Sequence, residues 1–225
     1  MPNNLRVFNT YNDYDTADLV KPSVSYVVSN DKVYYDPYIP FQGKWLATYS
    51  DSDYHTESAE CDSSSAITKN EIYYNHLVSV EIGECVISIG TYAFSSCRSL
   101  TSVTIGSGVT SIGTSAFAGC NSLTSIDIPN GVTTIGDFCF QYAGLTSVTI
   151  GSGITSIGNG AFINCPNIAS VTINALNPPQ VGSLTFNKTS FISGEYPIYV
   201  PSQSVNAYKS AWSKYASRIF PIPNS

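Results

Sequence analysis

The stretch that decides the fold is LTSVTIGSGVTSIGTSAFAGCNS, which occupies residues 100–122. Residues 77–99, 123–144 and 145–167 repeat its order of leucine, β-branched, glycine and phenylalanine positions, and a further partial unit starts at Ile168. The four complete units are 23, 23, 22 and 23 residues long. Self-similarity at such a period predicts a solenoid, because one unit can bury its apolar side chains only by stacking on its neighbours.

Each unit contains two short apolar alternations. In residues 100–122 the first is Val103 with Ile105, at the period of a strand, and the second is Val109 with Ile112, followed by a glycine that marks a turn. A small residue and a phenylalanine come next, and we expect these phenylalanines to fill the inside of the coil as a column. They are Phe94, Phe117, Phe140 and Phe162.

This pattern resembles the BspA-like leucine-rich repeats, whose consensus is close to L-x-S-V-x-I-x-x-x-V-x-S-I-G-x-x-A-F-x-x-C. The resemblance covers residues 77–173, where four units agree with the consensus at about ten positions each. It implies a right-handed leucine-rich-repeat solenoid with a parallel β-sheet on one side and short turns or helical pieces elsewhere. The family occurs mostly in bacterial surface and adhesion proteins, and the resemblance implies no catalytic residue.

The repeat pattern dissolves after Ile173, and we interpret residues 174–225 as a C-terminal cap. A strand-like Ile198-Tyr199-Val200 precedes Ser202, a good helix N-cap, and the prolines after residue 220 stop a helix. An amphipathic helix here would seal the open end of the solenoid, as terminal pieces of BspA-like proteins do. Its apolar positions are Val205, Tyr208, Ala211, Trp212, Tyr215 and Ile219.

Residues 1–76 lack the repeat and are predicted to form a small, mainly-β N-terminal module for anchoring or assembly. Alternating apolar residues on both sides of Asn30-Asp31 predict a hairpin, while Leu5, Phe8 and Tyr11 at intervals of three fit a short helix or a docking arm. The segment is rich in tyrosine, which is common at interfaces. The candidate assembly residues are Phe8, Tyr11, Tyr14, Tyr26, Tyr34 and Tyr35.

Three strings in this segment, RVFNTY at 6–11, KPSVSYV at 21–27 and VYYDP at 33–37, resemble N-terminal modules of structural proteins from tailed bacteriophages of gut Bacteroidales. In those proteins the module precedes varied C-terminal domains. The resemblance implies a homo-oligomer that is held on capsid or other virion proteins through residues 1–76.

Composition excludes several classes of protein. Hydrophobic residues make up 43% of the chain, enough for a continuous core, whereas only 12% of residues are charged and the net charge is −6. The negative charge and the absence of a run of Lys and Arg argue against a nucleic-acid-binding surface, so we expect no nucleic-acid partner. No stretch has the roughly 18 apolar residues of a membrane span, and the N-terminus lacks a basic leader with an apolar core, so we expect no membrane insertion and no export by the usual route.

The outward positions of the first strand in each unit are predicted to form one polar face, with strands stacked about 4.8 Å apart. Because this face carries little charge, we expect it to bind a glycan, a protein or a sister subunit. The candidate binding residues are Ser79, Glu81, Ser102, Thr104, Ser125, Asp127, Ser147, Thr149, Ser170 and Thr172.

The cysteines follow the repeat more than a disulfide framework. Cys97, Cys120 and Cys165 occupy one slot in three units, and Cys139 replaces the small residue before a phenylalanine. We therefore expect these four to be reduced core thiols. The remaining two, Cys61 and Cys85, lie outside these slots and are possible exceptions. The absence of a C-x-x-C pair argues against zinc or redox motifs.

Acidic residues offer two further candidates. A local alternation would place four potential metal ligands on one face of a strand, although a solvated acidic loop explains it as well; these are Asp51, Asp53, His55 and Glu57. Glu81 and Asp127, two units apart, would lie about 9.6 Å from each other, as in an inverting glycosidase. On an open, wet face neither carboxyl group should have a raised pKa, so we predict no catalytic residue. No glycine turn or second ligand cluster completes a metal site around the first group, so we predict no metal site, and we expect no cofactor.

Three functions remain after this reasoning. The first is a virion component, either a head fibre or a capsid-decoration protein, assembled in the host cytoplasm and displaying the repeats for attachment to a host or glycan. The second is a bacterial cell-surface adhesin that binds host protein or carbohydrate. A carbohydrate-active enzyme is a distant third.

Overall fold

The computed structural model describes residues 6–8, 25–29, 32–36, 45–49, 56–59, 66–67, 76–187 and 196–223. The repeats and the cap lie in the two long ranges. The shorter ranges are strands of the N-terminal segment.

The first three strands form an antiparallel sheet. They are β1 (Arg6–Phe8), β2 (Ser25–Ser29) and β3 (Lys32–Asp36), in the order β1-β3-β2. Pairing of β2 with β3, with Ser29 opposite Lys32, confirms the predicted hairpin. The alternative of a short helix around Phe8 is wrong, because β1 pairs with β3 and so gains main-chain partners that a single helical turn lacks.

Later strands of the N-terminal segment join the repeats. They are β4 (Trp45–Tyr49), β5 (Thr56–Ala59) and β6 (Ala66–Ile67). Strands β4 and β5 extend the sheet of the first repeat by antiparallel pairing, whereas β6 pairs in parallel with a repeat strand. The end of the segment predicted as 1–76 therefore covers the first repeat, with Ala47 and Ile67 buried in the common core.

The first strand of each unit, here called a front strand, carries the predicted polar face. The front strands are β7 (Leu77–Ile82), β9 (Ser102–Ile105), β11 (Ser125–Ile128), β13 (Ser147–Ile150) and β15 (Ser170–Ile173). Their Val, Ile and Leu side chains point inward at alternate positions, as the period-2 pattern predicts.

The second strand of each unit is a two-residue rear strand. The rear strands are β8 (Ser88–Ile89), β10 (Ser111–Ile112), β12 (Thr134–Ile135), β14 (Ser156–Ile157) and β16 (Gln180–Val181). With β6 they form one unbroken parallel sheet of six strands. Glycines after these strands allow close backbone approach: a Cβ on Gly136 would lie 2.5 Å from the Thr114 nitrogen.

The predicted phenylalanine column fills the centre of the solenoid. Phe94, Phe117, Phe140 and Phe162 are at most 1% exposed. Successive ring centroids are 5.1, 5.4 and 5.2 Å apart, with planes within 9° of parallel. Phe186 continues the column, 5.8 Å from Phe162. The register deduced from the sequence is confirmed.

The C-terminal cap closes this column with aromatic rings. Trp212 and Tyr215 each lie 5.5 Å from the Phe186 ring, and the Trp212 indole donates to the Pro179 carbonyl over 3.0 Å. Tyr208 is fully buried and donates to the Ala175 carbonyl over 2.9 Å. The cap therefore covers the last repeat with large aromatic side chains, and the polar atoms of Tyr208 and Trp212 have main-chain acceptors.

The capping helix is confirmed, but its ends differ from the prediction. Helix α1 (Val205–Ala211) follows a 3₁₀ turn (Ser202–Ser204) and precedes a 3₁₀ segment (Ser213–Arg218). Ser202 makes no capping hydrogen bond, so its assignment as the N-cap is wrong, and Ala211 is exposed.

The last apolar residue assigned to the helix, Ile219, lies instead in strand β18 (Ile219–Pro221). This strand pairs with β17 (Ile198–Val200), which itself pairs with β15. Pairing with β17 gives the chain partners for its main-chain groups that a continued helix ending at the prolines would lack. No helix in the described part of the chain is long and apolar enough to cross a bilayer.

Candidate ligand-binding face

The register of the front strands aligns the predicted binding residues in two rows. Ser125, Ser147 and Ser170 are paired positions of one row. The other row contains the residues two positions further along each strand, and the same alignment holds between β7 and β9. Ser102, Thr104, Ser125, Asp127 and Ser147 are exposed, while Ser79, Glu81, Thr149, Ser170 and Thr172 are half-buried.

This front face is divided into two parts. The front strands belong to a four-stranded sheet that ends at β9 and a five-stranded sheet that begins at β11. Within residues 76–187 no strand pairing joins these two neighbours, although the rear strands of the same two units, β10 and β12, remain paired. The division therefore opens only the front side of the interface between the units.

The gap between these strands is here called the β9–β11 cleft, lined by residues 101–105 and 125–129. It is an open groove of about 360 Å³. Its lining consists of hydroxyl-bearing and β-branched side chains, one carboxylate and one proline. The predicted binding residues Ser102, Thr104, Ser125 and Asp127 all lie on its walls.

Hydrogen bonds are missing at both ends of the cleft. In neighbouring interfaces the Thr101 and Thr146 nitrogens donate to carbonyls of the preceding unit, over 2.8 and 2.7 Å. Thr124 occupies the same slot, yet among the described residues its nitrogen has no such bond to Thr101. At the other end, the Gly151 nitrogen donates to Ile128, whereas Pro129 in the equivalent slot has no N–H to donate.

The threonine side chains show the same interruption. Thr101 Oγ1 donates to the Val78 carbonyl over 3.0 Å, and Thr146 Oγ1 donates to the Thr124 carbonyl over 3.0 Å. In the described residues the hydroxyl of Thr124 makes no corresponding bond to the Thr101 carbonyl. Because the residue type is unchanged, the difference accompanies the missing pairing of β9 with β11.

Opening of the cleft also exposes part of the core. Val103 is half-buried, whereas the equivalent Val80 and Val148 are each only 2% exposed. Ile105, next to it on β9, is 8% exposed. The floor of the cleft is therefore apolar and its rims are polar.

The two acids considered as a catalytic pair lie on strands β7 and β11. Glu81 and Asp127 lie in different sheets, so the spacing expected from continuous stacking does not apply. The expectation that Glu81 is fully solvated is also wrong: β4 pairs beside it, and burial raises the pKa of its carboxyl group. Desolvation disfavours the charged form of a carboxyl group, which explains this direction.

Four cysteines are free, buried thiols, as predicted. Burial raises the pKa of Cys97 and Cys165 to about 12, and that of Cys120 and Cys139 higher still. Sγ of Cys120 donates to the Phe94 carbonyl over 3.2 Å, and Sγ of Cys165 donates to that of Phe140 over 3.0 Å. Their role is core packing between repeats.

Of the possible exceptions, Cys85 is disulfide-bonded, and Cys61 lies outside the described residues. Similar limits apply to the proposed metal ligands: Glu57 lies on β5, while Asp51, Asp53 and His55 lie outside the described residues. In the described part of the chain no three His, Cys, Asp or Glu residues cluster as metal ligands would.

The candidate assembly residues fall partly on the N-terminal sheet. Phe8 lies on β1, Tyr26 on β2, and Tyr34 and Tyr35 on β3, with Tyr26 paired to Tyr35. The other two, Tyr11 and Tyr14, lie outside the described residues. Their role in assembly stays a prediction.

Sequence reasoning missed the cleft itself, and with it Val103, Thr124 and Pro129. A signal was present at one of these positions. The slot after the front strand holds Gly83, Gly106 and Gly151 in three units and Pro129 in the fourth. A proline that follows a strand removes a main-chain donor and thus marks an interrupted ladder.

Comparison with known proteins identifies the repeat. The model of the BspA type leucine rich repeat region matches residues 65–193 in six copies, starting before the first unit recognised in the sequence. None of the curated proteins matches this chain.

Several solved structures are similar to the chain. A leucine-rich repeat protein from Bacteroides ovatus is 21% identical, with a TM-score of 0.39 over 69% of this chain, which spans 59% of that protein. A T. pallidum leucine rich repeat protein is 19% identical, with a TM-score of 0.41 over 65% of this chain and 82% of the other.

A third structure, a leucine rich cell surface protein from Faecalibacterium prausnitzii, is 18% identical, with a TM-score of 0.31 over 82% of this chain and 70% of that one. All three likenesses concern the fold. The family match extends over more than half of the sequence. The chain belongs to the BspA-type leucine-rich-repeat family.

Proposed function

We propose that this chain is a non-enzymatic binding protein that uses the front face of its repeats to attach to a glycan or protein surface. The observation that carries the proposal is the alignment of exposed Ser, Thr and Asp side chains along the front strands. Core packing requires only the inward positions of these strands, so the outward positions are available for recognition.

The chemistry of the described residues supports binding over catalysis. The two front-face acids lie in different sheets, and the free thiols are buried with raised pKa values, so they are poor nucleophiles at neutral pH. The front face is a shaped polar surface that can form hydrogen bonds with a partner.

We further propose that the chain is a virion structural protein, a head fibre or capsid-decoration protein, held as an oligomer through residues 1–76. The resemblance of three N-terminal strings to phage structural modules supports this proposal. Unpaired outer edges of the described N-terminal strands β1 and β2 could pair with a second copy or a capsid protein.

One observation favours the second candidate, a bacterial cell-surface adhesin. Cys85 is disulfide-bonded. Disulfides form and persist mainly in oxidising environments such as the cell surface, and much less in the cytoplasm, where virions assemble. An adhesin would use the same front face, so the two candidates differ in whether the chain is attached to a virion or to a bacterial cell.

Binding to the front face is tested with the full chain on arrays of glycans and host surface proteins. A variant with Ser102, Thr104, Ser125, Asp127 and Ser147 replaced by Ala should lose binding. The control variant N206A/S210A changes two exposed polar residues of α1, outside the front sheets, and should bind normally. If the front-face variant binds as well as the unchanged protein, recognition lies elsewhere on the chain.

An antibody against the chain tests whether it is attached to a virion or to a bacterial cell. Detection in purified virions, with none on intact bacteria, supports the virion protein. Detection on intact bacteria and loss of the signal after surface proteolysis support the adhesin. The redox state of Cys85 in the isolated natural protein gives a second readout, since a bonded cysteine does not react with alkylating agents.

A further inference from the structure

The β9–β11 cleft presents main-chain hydrogen-bonding groups on the facing edges of β9 and β11, which do not pair with each other in the described structure. Neighbouring front strands satisfy each other by continuous pairing, as β11 and β13 do over four residues. Across the cleft, the edge of β9 faces the edge of β11 without such pairing. Each wall therefore offers both donors and acceptors to whatever enters.

The lining of the cleft selects the chemistry of the ligand. None of the described lining residues is basic, and Asp127 contributes a carboxylate, so an anionic ligand is disfavoured. The remaining polar groups are hydroxyls and main-chain groups, which match a ligand that both donates and accepts hydrogen bonds. The partly exposed Val103 adds an apolar surface between the polar rims.

We propose that the β9–β11 cleft is a binding subsite for a neutral saccharide. The saccharide lies across the open mouth of the cleft, where its hydroxyls exchange hydrogen bonds with Thr104 and main-chain groups at the rims, Asp127 accepts hydrogen bonds from hydroxyls, and the C–H face of the sugar covers the exposed part of Val103. This inference rests on the proposed binding function of the front face and assigns its ligand class and its position.

Two other occupants fit less well. An extended peptide between the strands would need about 9.6 Å from β9 to β11, twice the usual spacing. The intact pairing of β10 with β12 in the same two units holds the units together and opposes such a separation. A cation would have only the carboxylate of Asp127 in the described lining, since the other polar groups there are neutral.

Binding is measured with the full chain on an array of neutral and acidic oligosaccharides, followed by calorimetric titration of the strongest neutral binder. The cleft variant T104A/D127A should bind at least about tenfold more weakly, because it loses a hydrogen bond to a charged group. The comparison variant S147A/T149A changes the same two slots on β13, where both neighbouring strands are paired, and should weaken saccharide binding less than T104A/D127A does. The control N206A/S210A on α1 lies outside the front sheets and should bind within about twofold of the unchanged protein.

A second measurement does not depend on any substitution. The Thr124 amide should exchange with solvent faster than the Thr101 and Thr146 amides, which have main-chain acceptors in the same slot. The saccharide should slow exchange of amides on β9 and β11. Equal protection of the three amides in the free protein would show a closed ladder and overturn the proposal.

The possible failures are distinguishable. If S147A/T149A weakens saccharide binding and T104A/D127A does not, the front face binds but the cleft is not the subsite. Binding only of acidic oligosaccharides or proteins would overturn the neutral saccharide while leaving the proposed function intact. If no glycan or surface protein binds the full chain, both the subsite and the proposed function fail.

Discussion

Replacing Phe117 by Ala removes a ring from the middle of the phenylalanine column. The ring is 0% exposed and lies 5.1 Å from Phe94 on one side and 5.4 Å from Phe140 on the other. A buried Phe→Ala change costs about 3–5 kcal/mol, and stacked aromatic pairs add about 0.5–1.5 kcal/mol each beyond burial. Because both faces are stacked and the backbones are tied by ladders, the cavity cannot collapse, and we expect about 4–5 kcal/mol.

Chemical denaturation followed by far-ultraviolet circular dichroism measures this loss. In thermal denaturation of a chain of this size, each kcal/mol lowers Tm by about 2–4 °C, so the Tm of F117A should be about 8–20 °C below that of the unchanged protein. Phe138→Ala is the matched control, since Phe138 belongs to the next unit but is 38% exposed and should cost much less. A loss below about 1.5 kcal/mol for F117A, or equal losses for both variants, would refute the column as a main source of stability.

Three further outcomes test other parts of the structure by urea denaturation. Burial raises the pKa of Glu81, so stability should fall as pH rises from its unfolded to its folded pKa, and E81Q should abolish this slope and raise stability at pH 7. Gly136→Ala brings a Cβ to 2.5 Å from the Thr114 nitrogen and should cost at least about 2 kcal/mol, against less than about 0.5 kcal/mol for the exposed Thr134→Ala. Tyr208→Phe removes the bond to the Ala175 carbonyl and should cost about 1 kcal/mol.

The repeat core was predictable from sequence because every unit has the same pattern of apolar, glycine and phenylalanine positions. A phenylalanine slot that recurs with the leucine and glycine slots has one self-consistent placement, inside the coil, and stacking then requires a column. The same argument predicts the buried cysteines, because Cys97 and Cys120 occupy one position of the repeat and that position is buried. Periodicity thus predicted both the fold and the burial of chemically active side chains.

The two ends of the solenoid were harder to predict because each occurs once. Strands β4 and β5 carry no repeat pattern, and the antiparallel pairing of β4 with the first unit and of β5 with β4 depends on tertiary contacts. At the other end, the spacing of Tyr208, Trp212 and Tyr215 predicted one helix. The helix α1 ends at Ala211, and a 3₁₀ segment then leads into β18. Burial against Phe186 determined these positions more than helix propensity did.

The candidate subsite lies where the repeat is interrupted. A perfect repeat satisfies its main chain in every ladder and offers a ligand only side chains. Pro129 removes one donor, and in the described residues the Thr124 nitrogen makes no bond to Thr101 near the opposite end of the same strand. The rear ladder between Ile112 and Ile135 is intact, so the solenoid keeps its core while the front opens. If this reasoning is correct, P129G should restore a donor, protect the Thr124 amide and weaken saccharide binding together, whereas a change in protection without a change in binding would separate the cleft from recognition.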